Sequence, residues 1–90
     1  MDQLDEMIGK WVMEMRVAKG LSQSFLASQV HKDQSYISKI ESGARRLAAV
    51  ELFALAEALD LNSGEIAELY LRWCGINGMQ IGSEDLRSEQ

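Results

Sequence analysis

The sequence predicts an all-α domain of five helices, and three kinds of observation predict it. Apolar residues recur at alternating steps of three and four, small oxygen-bearing residues stand just ahead of several such stripes, and glycines stand just behind them. The stripes say which face of each helix is buried. The capping residues and glycines say where the helices begin and end.

In the first helix Leu4, Ile8, Trp11, Met15 and Ala18 make the stripe, and the helix runs to about Lys19. Gly20 suits the left-handed residue that closes a helix, and Ser22 supplies an oxygen to cap the next one. The second helix spans about Gln23 to Val30 and buries Leu26, Ala27 and Val30. A turn follows at His31 and Lys32. Asp33 can accept the free amide protons of a third helix from Gln34 to about Ser42, stopped by Gly43. On that helix Ile37 and Ile40 share one face, while Gln34, Ser35, Ser38 and Lys39 project from the other. The fourth helix, about Ala48 to Leu59, carries Leu52, Leu55, Ala56 and Leu59, with alanine and glutamate as helix-favouring filler. Asn62 and Glu65 then stand at capping-box spacing ahead of Ile66, Leu69, Tyr70 and Trp73, so a fifth helix runs to about Cys74. Gly75, Gly78 and Gly82 break the pattern. Residues 1–82 read as one domain, and residues 83–90 as a flexible polar tail.

Composition bounds the chemistry. Ninety residues, 47% of them apolar and 26% charged, have enough surface to bury one core and belong with folded, not disordered, chains. With one cysteine and one histidine, the chain has no internal disulfide and too few soft ligands for a structural zinc site. No cofactor is expected. No nucleophile and base stand at a useful spacing, which argues against an enzyme. Lacking an apolar run of about 18 residues or the pattern of a secretory leader, the chain reads as cytoplasmic with no membrane partner. Cys74, on an apolar helical face, reads as packing, and Met7, Met13 and Met15 as gap-fillers near the core.

The formal charge is −5, yet its distribution matters more than its total. Residues 16–46 hold Arg16, Lys19, Lys32, Lys39, Arg45 and Arg46 against only Asp33 and Glu41, while both flanks are acidic. Chance clustering on solvated faces explains such a segment as readily as an anionic partner does. The neighbouring residues have to decide.

The run GLSQSFLASQV, then QSYISKIESG, ARRL and VELFALAEALDL resembles the lambda-repressor and Cro type of helix-turn-helix regulators, the XRE family. The likeness extends from about Met15 to Leu61 and implies a lambda-repressor-like five-helix domain. It further implies that Gln23 opens the first helix of the motif and Gln34 the recognition helix. In such regulators the earlier glutamine touches the DNA backbone and steadies the later one, whose amide pairs with the N6 donor and N7 acceptor of adenine. The chemistry points the same way, because a carboxamide carries donor and acceptor side by side and reads adenine without bringing charge. Ser35 and Ser38 are small enough to let the helix approach the bases, and Lys39 reaches a guanine edge or a phosphate. Arg45 and Arg46 are expected to clamp the backbone, with Tyr36 joining through its hydroxyl.

Two positions depart from the family pattern. His31 stands where the turn usually has a left-handed glycine, a strain of about 1 kcal/mol. Leu47 stands near a frequent proline, in an Arg-Arg-Leu variant that apolar burial explains. In the fifth helix Leu69, Tyr70, Trp73 and Ile76 offer more apolar surface than a small monomer covers. They are expected to form a homodimer interface, the other reading being a terminal segment folded over the core. The expected function is a bacterial or phage-encoded transcriptional regulator, most simply a repressor, that binds double-stranded DNA at a palindromic operator. The alternative is an antitoxin or anti-repressor type of module, acting through a regulatory protein partner.

Overall fold

The computed structural model describes residues 3–77, apart from the side chains of Trp73, Ile76 and Asn77. The expected tail, and the end of the expected domain boundary at residue 82, lie outside the described residues. Five α-helices follow in order: α1 Gln3–Ala18, α2 Gln23–Gln29, α3 Gln34–Glu41, α4 Ala49–Ala58 and α5 Ser63–Asn77. α2 packs on α3, α1 packs on both α3 and α5, and α4 meets α2. None of the described helices is long and apolar enough to cross a membrane.

The first four helices end in the same way. Their closing residues Gly20, His31, Gly43 and Asp60 all have positive φ, 74°, 60°, 81° and 55° respectively. In each case the next amide reaches back to a carbonyl five residues earlier, as in Leu21 to Arg16, Lys32 to Ala27, Ala44 to Lys39 and Leu61 to Ala56. This is the Schellman arrangement, which satisfies carbonyls that a helix end leaves open. His31 therefore adopts the left-handed geometry that glycine would take more easily, and the turn keeps its shape.

The starts are equally specified. Ser22 Oγ accepts from the Phe25 amide at 3.0 Å, and Asp33 Oδ1 from the Tyr36 amide at 3.1 Å. Asn62 and Glu65 form the complete reciprocal box, at 2.8 and 3.0 Å. At α4 the cap residue is Ala48, which has no side-chain acceptor; the Glu51 carboxylate takes the Ala48 amide at 2.9 Å.

Trp11, Val12, Leu26, Ala27, Ile37, Ile40, Leu55, Leu59 and Leu69 form the core. The α1 stripe is wider than its expected spacing: Val12 is fully buried, whereas Leu4, Ile8 and Met15 are half-buried and Ala18 is exposed. α1 is flanked by two helices, so residues on both sides of the central line are covered. Gly9 is buried too, because α1 crosses the end of α3 there. A methyl group at Gly9 would collide with the Ile40 carbonyl oxygen. Met7 and Met15 pack against the core as expected, but Met13 is exposed. The fifth helix also runs through Gly75 to Asn77, three residues beyond its expected end, since a lone glycine weakens a helix by only about 1 kcal/mol.

Candidate nucleic-acid interface

Ile37 and Ile40 anchor α3 to the core, and Gln34, Ser35, Ser38 and Lys39 are therefore turned outward and exposed. The expected reading pair is assembled. Gln34 Nε2 donates to Gln23 Oε1 at 2.9 Å, joining the first residues of α3 and α2 across the turn. Behind that pair lies a support that composition and periodicity did not single out. Gln23 Nε2 donates to Glu41 Oε1 at 2.9 Å, and Arg16 grips the same carboxylate with Nε at 2.6 Å and Nη2 at 3.0 Å. Arg16 Nη1 also donates to the Leu21 carbonyl at 2.8 Å. The Glu41 side chain is 4% exposed and that of Arg16 14%, so little water competes for these bonds. The hydrogen bond from Arg16 to Glu41 is the main reason the guanidinium pKa rises above its ordinary value.

Ser35 Oγ donates to Asp33 Oδ1 at 2.8 Å, which, followed by the Tyr36 amide, lowers the Asp33 pKa. Ser35 thus serves the cap as well as the outer face. Ser38 and Lys39 stand clear on the helix.

Tyr36 is half-buried, and its hydroxyl donates to Glu51 Oε2 at 3.1 Å. The hydroxyl expected to contact the DNA backbone is thus engaged by α4 in this structure. A phenol has one proton, and it is directed at α4. Burial, followed by the Glu51 hydrogen bond, raises the Tyr36 pKa.

Arg45 is drawn into the same cluster. Its Nη1 and Nη2 pair with Glu51 Oε1 and Oε2 at 3.0 Å each, and its guanidinium carbon lies 4.7 Å from the Tyr36 ring centre. Lys32 Nζ lies over that ring too, at 5.4 Å. Glu51 consequently has its pKa held at about 2, chiefly by the Arg45 hydrogen bond and then by the Ala48 amide. Arg46 is 73% exposed on its side chain and meets Asp5 at 3.5 Å. The two arginines expected to act as clamps are thus unlike: Arg45 is held by both oxygens of Glu51, and Arg46 is the more exposed. Lys32, which the motif did not mark, completes a cationic rim with Lys39 and Arg45 beside the recognition helix.

Residues 12–66 match the helix-turn-helix family. The chain belongs to that family. Within the helix-turn-helix family it is 37% identical over 60 residues to an HTH-type transcriptional regulator of Rickettsia conorii, covering 67% of this chain and 48% of that protein. The chain therefore spans about half the length of that relative. Among solved structures it is similar to the restriction-modification controller protein C.AhdI from Aeromonas hydrophila, at 39% identity. The match has a TM-score of 0.62 and covers 68% of this chain and 92% of that one. It is also similar to the controller C.Esp1396I, solved as a tetramer with its natural 35 base-pair operator. There the identity is 25% and the TM-score 0.70, with 78% of this chain and 93% of that one covered.

The expected interface residues of α5 separate. Leu69 is 9% exposed and joins the core, and it also lines the apolar groove between α1, α4 and α5. Tyr70 is 57% exposed, with Ile66 and Leu71 also open to solvent. The side chains of Trp73 and Ile76 lie outside the described residues.

Proposed function

We propose that this chain is a sequence-specific double-stranded DNA-binding transcriptional regulator that lays α3 in the major groove, most simply to repress a promoter. The single observation that carries this is the Gln23–Gln34 pair. An exposed carboxamide at the start of an exposed helix, held by a second one at 2.9 Å, is built to meet a base edge. Ser38 and Lys39 on the same face, with Lys32, Arg45 and Arg46 beside it, supply small residues where bases approach and cations where phosphates run. An antitoxin-type module with no DNA site has no use for an ordered carboxamide in that place. The relatives named as regulators, and the controller solved on its operator, support the same reading.

We further propose that the protein acts as a homodimer on a palindromic site, with half-sites about one DNA turn apart. Support comes from the apolar groove between α1, α4 and α5, lined by Leu4, Met7, Ile8, Leu52, Ile66 and Leu69, with exposed Tyr70 beside them. Selection of bound duplexes from a random pool tests both proposals. An inverted repeat is expected, and Gln34→Ala should lose about 1–3 kcal/mol on the selected site while relaxing one base pair. Equal loss on every duplex would remove Gln34 from base reading. A site without two-fold symmetry would remove the dimer.

A further inference from the structure

A carboxamide is chemically ambiguous. Half a turn about its last bond exchanges oxygen and NH2, so a glutamine at the head of a recognition helix can offer DNA either of two edges. Which edge Gln34 offers is decided by its neighbours.

The ambiguity ends at Glu41. A carboxylate paired with Arg16 accepts hydrogen bonds and donates none. Gln23 must therefore turn Nε2 toward Glu41, at 2.9 Å, which leaves its oxygen facing Gln34. That oxygen accepts only, so Gln34 must give it an N–H, again at 2.9 Å. What Gln34 retains for the duplex is its own oxygen beside its second N–H. Adenine presents an N6 donor beside the N7 acceptor and complements that edge; guanine presents two acceptors, O6 and N7, and sets oxygen against oxygen. With the relay reversed, Gln23 would donate to the Gln34 oxygen, and Gln34 would turn its NH2 outward, an edge that suits guanine.

We infer that Glu41 is a positioning residue for base choice: its negative charge, anchored by Arg16 and passed through Gln23, makes Gln34 select adenine over guanine. The Glu41 side chain is 4% exposed and stands behind the Gln23–Gln34 pair. The inference rests on the reading that Gln34 faces a base in the major groove. Its burial matters because water, which both donates and accepts, would otherwise restore the ambiguity.

The test is selection from a random duplex pool, run in parallel with the unchanged chain, Glu41→Gln, Gln23→Ala and Gln34→Ala. The unchanged chain should prefer adenine to guanine at one position by about 5- to 150-fold, the range of a good bidentate contact. Glutamine at position 41 has the same shape but both donates and accepts, so the preference should fall to near parity while the salt dependence of binding stays as it was. Loss of a merely structural role would weaken binding to all sequences alike and leave the preference intact. Gln23→Ala keeps the Arg16–Glu41 pair and removes only the middle link; it should give the same near parity even where Glu41→Gln folds poorly. An unchanged preference in Gln23→Ala, or in a folded Glu41→Gln, overturns the inference. Gln34→Ala separates the two levels: if it keeps the preference, base reading by Gln34 fails, and if it alone abolishes the preference, only the relay fails.

Discussion

Replacing Gly9 by alanine should destabilise the domain, although the same change in an open helix stabilises. A methyl at Gly9 collides with the Ile40 carbonyl oxygen and stands 3.0 Å from that of Glu41. Both oxygens belong to the backbone of the last turn of α3 and cannot rotate aside, so α1 and α3 must part. Parting them loosens Trp11, Val12, Ile37 and Ile40, all buried to within 1%. Alanine contributes about 1 kcal/mol of helix propensity, and overpacking against rigid backbone opposes it with about 3 kcal/mol, the upper part of its usual range. The net loss of about 2 kcal/mol should lower Tm by about 8–16 °C in a domain of this size. Gly75→Ala is the control, because nothing lies within 4 Å of a methyl there. It should add about 0.5–1 kcal/mol. Thermal unfolding followed by circular dichroism compares the three proteins. A Gly9→Ala protein that melts with or above the unchanged chain would refute the close crossing of α1 and α3.

The remaining predictions concern charge and the turn. Arg46→Ala should lower the salt slope of DNA binding by about 1, while Arg45→Ala, whose charge Glu51 already neutralises, should lower it by less; equal slopes in titrations at several salt concentrations would contradict the internal pair. His31→Gly should raise stability by no more than about 0.6 kcal/mol, the left-handed strain of about 1 kcal/mol less the added unfolded-state freedom of about 0.4–1 kcal/mol. A fall in urea-unfolding stability would show that His31 makes a contact worth more than its strain. Glu51 has a folded-state pKa of about 2 against an ordinary 4.5, so its contribution to stability is fully present above about 4.5 and is lost as pH falls toward 2. Glu51→Gln should flatten that acid limb; an unchanged pH profile would mean that the cluster does not form.

The local features of this fold were legible in the chain, and the features that needed two distant segments were not. Ser22, Asp33 and Asn62 act on amides within three residues, so their capping roles follow from spacing alone. His31 and Gly43 likewise announce turns by their neighbours. Nothing in the pattern of α1 marks Gly9, since its need for glycine arises from α3, more than thirty positions away. Spacing does not join Arg16 to Glu41 for the same reason, and Glu51 counted only as helix filler. At the interface, the pairing of Gln23 with Gln34 was implied by the family resemblance. The internal engagement of Tyr36 and Arg45 depended on where α4 would lie. Leu69 illustrates a limit of periodicity: it marks an apolar face, but α1 covers part of that face and leaves the rest.

The way this molecule holds its cations bears on how it travels. Arg16 and Arg45 each have a carboxylate within 3.0 Å, so part of the positive charge beside α3 is already answered at home. On the proposed function, a random duplex should then have a weaker hold on the protein. Brief encounters of that kind would let one copy inspect many stretches in a given time, and leave the lasting stop to a site that the proposed Gln34 contact selects.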